Sequence, residues 1–323
     1  MINVGIVGTG YVAQKRAEAL SKDQRVRLKQ VAGNSSCNTE MLAQKYSLEK
    51  KDAWWELVNH PEIDLVFVST INRDHGIIVR ASLEAGKNVV VEYPLSVEAT
   101  EARELIELAK NKGVMLHVEH IELLGGVHQA IKKYLPEIGE VFYARYATIN
   151  PVRPVGLRWT YNSELFGFPL IGALSRIHRL TDLFAPVTSV ACSARFWGTL
   201  EKDYYKACLC RATLNFKNNL MAEVTYGKGE TFWQASRTFE LHGDTGVIIM
   251  EGETGYLCRG EEKEPLEVLP RQGLIAQDTI LVLDHLLEDK PLYIQPLESY
   301  YSLKVAEATY KATQENQIIY INH

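Results

Sequence analysis

The chain has no apolar run that approaches a membrane span, no cysteine pair at metal or redox spacing, and no excess of positive charge. A helical span takes about 20 consecutive apolar residues, so no membrane is expected. The five cysteines, Cys37, Cys192, Cys208, Cys210 and Cys258, are odd in number and form no CxxC. We therefore expect reduced thiols, no metal site and a cytoplasmic protein. A net charge of -5 gives no electrostatic reason to expect nucleic acid as a partner. The first strand begins within a few residues of Met1, so no leader peptide is expected. Internal repeats and low-complexity segments are also missing, and 323 residues are too many for one comfortable core, which points to two domains. The sequence specifies no oligomeric state.

What is there begins with Val4-Gly-Ile-Val-Gly-Thr-Gly-Tyr-Val-Ala13. Val4, Ile6 and Val7 suit a short buried strand, Gly8 to Ala13 a GxGxxA turn, and Gln14 to Leu20 the helix it opens. Gly8 permits the tight turn, Gly10 lets the backbone approach a pyrophosphate, and Ala13 lets helix and strand pack closely. The helix N-terminus then points at the anion. Gly8, Thr9, Gly10, Tyr11 and Val12 are the expected dinucleotide contacts, with Thr70 and Glu92 at later strand ends.

The second strand, Arg27 to Gly33, ends in Asn34-Ser35-Ser36 where NAD-specific folds place an acid on the adenosine ribose. Asn and Ser donate to a 2′-phosphate without repelling it, so NADPH is favoured, with NADH the lesser alternative. The same three residues also suit capping of a helix over Thr39 to Tyr46. Strands at Leu65–Ser69, Asn88–Glu92 and Val114–Val118 alternate with helices at Asp74–Ala85 and Ser96–Lys112. That alternation predicts an α/β Rossmann fold with a doubly wound parallel sheet over residues 1–122. From about residue 140 strand-like runs separated by turn signals, with one helix over Leu170 to Phe184, predict an α+β domain with a largely antiparallel sheet over 123–323. Late helices are expected at Asp278–Glu288 and 297–315, the last packing back on the first domain.

With the glycine turn, Glu92-Tyr93-Pro94 at a strand end and a sheet domain to follow, the layout resembles the glucose–fructose oxidoreductase and inositol dehydrogenase (Gfo/Idh/MocA) family. In that family the tripeptide is usually Glu-Lys-Pro, whose Lys helps deprotonate a sugar hydroxyl, and a helix of the second domain carries Asp and His. Here Tyr93 replaces the Lys, and Leu170 to Arg179 holds Arg176 and Arg179 instead. Glu92-Tyr93-Pro94, His117-Val-Glu119-His120-Ile-Glu122-Leu-Leu124 and Phe166-Gly-Phe-Pro to Leu174-Ser-Arg176 are similar, in order and spacing, to the biliverdin reductase branch. The fuller run through Gly125-Gly126-Val-His128 is similar to its cyanobacterial members. The resemblance implies NADPH-dependent reduction of the central (C10) methine bridge of biliverdin IXα to bilirubin.

That reaction delivers hydride to a carbon and a proton to a pyrrole nitrogen, so the site must stabilise negative charge on the ring system. Arg176 is the candidate, as a fixed cation that orients a water, because an arginine hardly gives up its proton. Arg179, one turn on, shares the task or binds a propionate; the competing reading of either is a surface ion pair. Tyr93 stacks on the bilin or donates its hydroxyl, unless it merely packs before Pro94. Glu92 falls beside the nicotinamide if the family position carries over. Glu119 and Glu122 accept pyrrole N–H groups from one helix face, if that segment has begun its helix, or cap that helix. His120, His128 and His178 are proton carriers by chemistry alone, and a lone His is more often structural. Arg158 to Tyr161 and Phe232-Trp233 line a flat pocket or belong to the core. A sugar or cyclitol dehydrogenase and a non-catalytic bilin- or nucleotide-binding protein remain the other readings.

Overall fold

A computed structural model describes residues 1–184 and 186–322; Ala185 and His323 lie outside the described residues. The chain divides into two units, 1–121 with 273–300, and 122–272 with 301–323. In the first, runs rich in β-branched or other apolar residues form β1 (Ile2–Val7), β2 (Val26–Ala32), β4 (Leu65–Val68), β5 (Asn88–Glu92) and β6 (Leu116–Glu119), and the charged Glu49–Lys51 adds β3 at the edge. They pair in the order β3-β2-β1-β4-β5-β6, all parallel. Strand order reverses between β1 and β4, which opens a crevice at their carboxyl ends. All four residues of β4 are buried, as a strand covered on both faces requires. The connecting helices are α1 (Tyr11–Leu20), α2 (Ser36–Tyr46), α3 (Trp54–Val58), α4 (Asn72–Glu84) and α5 (Ala99–Lys112).

The second unit contains α6 (Gly126–Tyr134), β7 (Val141–Pro151), α7 (Ser163–Phe166), α8 (Pro169–Gly172) and α9 (Ser175–Phe184). After these come β8 (Val187–Thr199), β9 (Tyr205–Phe216), β10 (Met221–Gly229), β11 (Ser236–Gly243), β12 (Val247–Glu251), β13 (Thr254–Arg259), β14 (Glu262–Pro265) and, near the end, β15 (Ile319–Tyr320). The nine strands run β14-β13-β12-β11-β7-β10-β9-β8-β15. Every pairing is antiparallel except β7 with β10. The mixed but mostly antiparallel sheet and the parallel six-stranded sheet are the two architectures expected from the strand patterns. Cys208 and Cys210 share a face, as their spacing requires, and both are fully buried there.

Several expected elements differ. The helix expected from Gln14 begins at Tyr11, because Gly10 already serves as its N-cap. The helix expected over Leu170 to Phe184 is broken into α8 and α9. At Gly172 a Cβ would come within 2.5 Å of the Phe166 ring, and Ala173 leaves helical geometry at φ -107°, ψ 42°. Glu119 closes β6 while Glu122 lies in a 3-10 turn over Ile121–Leu123, so the two carboxylates do not share a helix face. Short or charged elements, β3, β13, β14 and β15, escaped the pattern, as did α6, whose Gly125-Gly126 start looks like a breaker.

The helix α10 (Leu274–Glu288) completes the first unit, setting Val282 and Leu283 into a core with Val4, Ile6, Ala17 and Phe67. It also carries Asp278, fully buried against Arg16 of α1. In α11 (Pro296–Glu315), the residues up to Tyr300 group with the first unit and those from Tyr301 with the second. Removing one member of a buried ion pair strands the other charge, at a cost of about 3–5 kcal/mol. Arg16→Ala is therefore expected to lower unfolding stability by about 4 kcal/mol in denaturant titration, and Arg16→Met with Asp278→Leu to recover most of it. Equal losses in the single and double variants would contradict the pairing.

Candidate functional site

The glycine turn between β1 and α1 is shaped by two different demands. Gly8 sits at φ +125°, and a Cβ there would fall 2.2 Å from the Ser69 carbonyl oxygen, so only glycine fits. Gly10 has an ordinary φ of -73°, and a Cβ there meets nothing within 4 Å. Gly10 keeps open space in front of a helix end that has no side-chain cap, where free N–H groups and the helix dipole favour an anion. Thr9 borders Gly33 of the next turn, Tyr11 is exposed, and Val12 is half-buried. These features fit a pyrophosphate.

At the end of β2, Ser35 caps α2 by accepting from the Asn38 N–H at 3.3 Å, so its capping role is realised. Asn34 is exposed, and Ser36 Oγ accepts from Lys50 Nζ at 2.9 Å. No acid occurs from Gly33 to Thr39. Lys50, in β3 beside β2, adds a cation that sequence reasoning missed, because only the sheet pairing Val31 with Lys50 brings it there. Together these groups suit the extra phosphate of NADPH. The Thr70 turn is tied to the Tyr93-Pro94 turn through the buried His75, whose Nδ1 lies 2.8 Å from Pro94 O and Nε2 3.4 Å from Thr70 O.

Behind Glu92 and Tyr93 lies one continuous polar network. Tyr93 stacks on the His120 imidazole, centroids 5.0 Å apart at 14°. His120 Nε2 lies 2.8 Å from Ser299 Oγ, and its backbone N–H donates to Tyr293 Oη at 3.0 Å. Tyr293 donates in turn to Asp278 Oδ1 at 2.7 Å, which His117 Nε2 also meets at 2.8 Å. Asp278 Oδ2 accepts from Arg16, whose other terminal nitrogen lies 3.2 Å from Glu92 Oε1. Burial alone would raise Asp278, but Arg16 and His117 outweigh it and hold the carboxyl far below its usual range. Glu119 is the opposite case: burial, reinforced by the neighbouring Glu92 carboxylate, raises it well above the carboxylate range.

In the second unit Arg176 is half-buried at the start of α9. Its Nε donates to Thr148 Oγ1 at 3.4 Å, its Nη1 to Ser175 Oγ at 2.9 Å, and its guanidinium lies 4.9 Å from the Tyr226 ring centre. Arg179 is buried and paired with Glu122. Arg237 and Arg271, not singled out from the sequence, join the same carboxylate. Burial pushes Glu122 upward, yet Arg179, Arg271 and Arg237 hold it at about 2. His128 meets Asp182 at 2.7 Å, a partner 54 residues away that no local spacing reveals. Burial lowers His178 to about 3, which keeps it neutral at physiological pH. The aromatic stretches separate: Tyr161 is core, packed with Tyr205, whereas Trp233 is exposed beneath Arg153. Among the described residues no cluster of His, Cys, Asp or Glu is placed to hold a metal ion, and no helix is long and apolar enough to cross a membrane.

A family model described as an oxidoreductase family with an NAD-binding Rossmann fold matches residues 2–120, and its C-terminal alpha/beta domain matches 132–322. The chain is similar to the biliverdin reductase of Synechocystis sp. PCC 6803, solved with biliverdin and NADP+: 51% identity, 97% of this chain and 99% of that one, TM-score 0.95. It is 31% identical to biliverdin reductase A of Homo sapiens over 49% of this chain and 50% of that protein. For the Mus musculus protein the identity is 32%, over 48% of each. The chain thus spans about half the length of these curated relatives.

Gly10→Ala adds a Cβ with nothing within 4 Å and gives up only an N-cap preference, so folding stability is expected to fall by no more than about 1 kcal/mol while dinucleotide affinity falls roughly tenfold or more. Unchanged affinity in a calorimetric titration would rule out the cradle. His178 yields a stability test. The unfolded chain protonates near 6.5 and the folded one near 3, so below pH 6.5 the unfolded state binds more protons and stability is lost as pH falls toward 3. Between pH 7 and pH 5 the loss from His178 amounts to about 2 kcal/mol. Denaturant titrations of His178→Gln are expected to lack that part of the slope; an identical slope would mean the histidine is not held neutral.

Proposed function

The chain belongs to the Gfo/Idh/MocA oxidoreductase family, and on that premise we propose that it reduces the central (C10) methine bridge of biliverdin IXα to bilirubin with NADPH. The observation that carries this reading is the likeness, over nearly the full length of both chains, to a reductase solved with biliverdin and NADP+. The cytoplasm, where thiols stay reduced, suits its five free cysteines.

NADPH supplies the hydride that biliverdin takes up at C10. The residues of this chain bind, orient and balance charge. The Gly8–Gly10 turn and the N-terminus of α1 hold the pyrophosphate, and Asn34, Ser35 and Ser36 with Lys50 receive the 2′-phosphate. Glu92 stands beside the nicotinamide, fixed by Arg16. Tyr93, backed by His120, offers a flat face or a hydroxyl to the bilin where relatives acting on sugars carry a Lys. A reductase has no substrate hydroxyl to deprotonate, so a base is not needed there. Negative charge spreads through the tetrapyrrole as hydride arrives, and Arg176 stabilises it. Thr148, Ser175 and Tyr226 hold that guanidinium in place, so little reorganisation is needed during reaction. The proton reaches the pyrrole nitrogen through a water that Arg176 orients.

Purified protein given NADPH and biliverdin is expected to lose the long-wavelength bilin band and gain a bilirubin band. An unchanged spectrum at saturating cofactor would overturn the reading. Arg176→Ala is expected to lower kcat about 100-fold or more with KM within a few-fold, as for loss of a charge-stabilising donor. Losses of equal size in kcat and in bilin affinity would make Arg176 a binding residue only.

A further inference from the structure

Glu122 is surrounded by more positive charge than one carboxylate balances. Its Oε2 accepts from Arg179 and, at 3.3 Å, from Arg237, and its Oε1 accepts from Arg271. Arg179 is 2% exposed, yet its Nε and Nη1 have no hydrogen-bond partner. These four side chains line a narrow recess together with Gly126 and Val127. Those two residues open α6, whose N-cap, Gly125, offers no side-chain acceptor. A helix end with free N–H groups and a partial positive charge thus faces the same space as three guanidinium groups. The other acid at the recess is the exposed Glu253, so three cations face two carboxylates.

The recess is close to the cation assigned to the bilin. Arg237 of β11 pairs across the sheet with Thr148 of β7, and Thr148 is the residue that accepts from Arg176. Arg179 and Arg176 are one turn apart on α9. We propose that this recess is an anion site that takes one carboxylate of the substrate, a propionate of the bilin, on Arg179, Arg237, Arg271 and the N-terminus of α6. The proposal rests on the bilin reading above. A planar carboxylate matches the guanidinium fork in two-point contact, and the recess is too narrow for the ring system itself. Glu122 keeps the three arginines in register by occupying one side of the cluster, and two buried donors of Arg179 remain unpaired beside it.

The test compares biliverdin with its dimethyl ester, titrated spectroscopically into the NADP+-loaded protein. Arg271 is 46% exposed, so Arg271→Gln keeps the fold. The variant is expected to weaken binding of the diacid about tenfold or more and to leave the diester within about twofold. Arg271→Lys, which keeps the charge without the fork, is expected to fall between. Inorganic phosphate should compete with the diacid in the unmodified protein and lose that effect in Arg271→Gln. Equal weakening of diacid and diester, or no weakening of either, would overturn the site. Turnover measured alongside separates this from the reductase reading. Arg271-dependent binding without hydride transfer supports the site and defeats the reaction, turnover with no dependence on Arg271 does the reverse, and a protein that binds no bilin defeats both.

Discussion

A buried guanidinium, Arg16, is the constraint from which the first unit takes its working shape. It projects from α1, the helix that the glycine turn opens, and meets Asp278 of α10 and Glu92 at the end of β5. A fully buried cation is tolerable only where carboxylates and hydrogen bonds replace its water, and Asp278, Thr279 and the Ile275 carbonyl oxygen do so here. The consequence is positional. The phosphate cradle, the strand end bearing Glu92 and Tyr93, and the Tyr293–His120 platform beneath Tyr93 are linked through one network. Burial and the neighbouring Glu92 push Glu119 upward, whereas Arg16 and His117 hold Asp278 down, so two acids of the same network are driven in opposite directions.

The second unit manages charge the other way. Arg176 is held by hydroxyls and a ring, Arg179 by a carboxylate shared with Arg237 and Arg271, and the face of the sheet beneath α9 presents Tyr146, Thr148 and Tyr226. Tyr146, Thr148 and Tyr226 are themselves buried, so they fix the positions of the guanidinium groups from behind. Lys228 adds to the same face, buried among Tyr161, Phe166, Tyr205 and Tyr226 and lowered by that burial to about 8.

Much of the first unit was legible because its signals are local. The GxGxxA turn, the apolar strands and the missing acid after β2 are each readable within a dozen residues, and the departure of Tyr93 from the family's Lys marks where the chemistry changes. Two kinds of information were not local. Element boundaries moved where a close contact overrode helix periodicity, as at Gly172 against Phe166. Charge partners far apart in sequence left no pattern, as with Arg16 and Asp278, 262 residues apart, or Glu122 and Arg271, 149 apart. A usable hint did exist. Arg16 interrupts the stripe Ala13, Ala17, Leu20 on α1, and Asp278 interrupts Leu274, Val282, Leu283 on α10; a charge on a buried helix face demands an opposite charge. Arg237 and Arg271 carry no such mark.

The central claim is that hydride passes from NADPH to the middle carbon of a bilin. The most direct measurement is a single turnover with NADPH deuterated at nicotinamide C4, followed by NMR of the product. Deuterium at C10 of bilirubin is the predicted result. Deuterium at any other carbon, or its retention on the nicotinamide with the bilin unchanged, would contradict it.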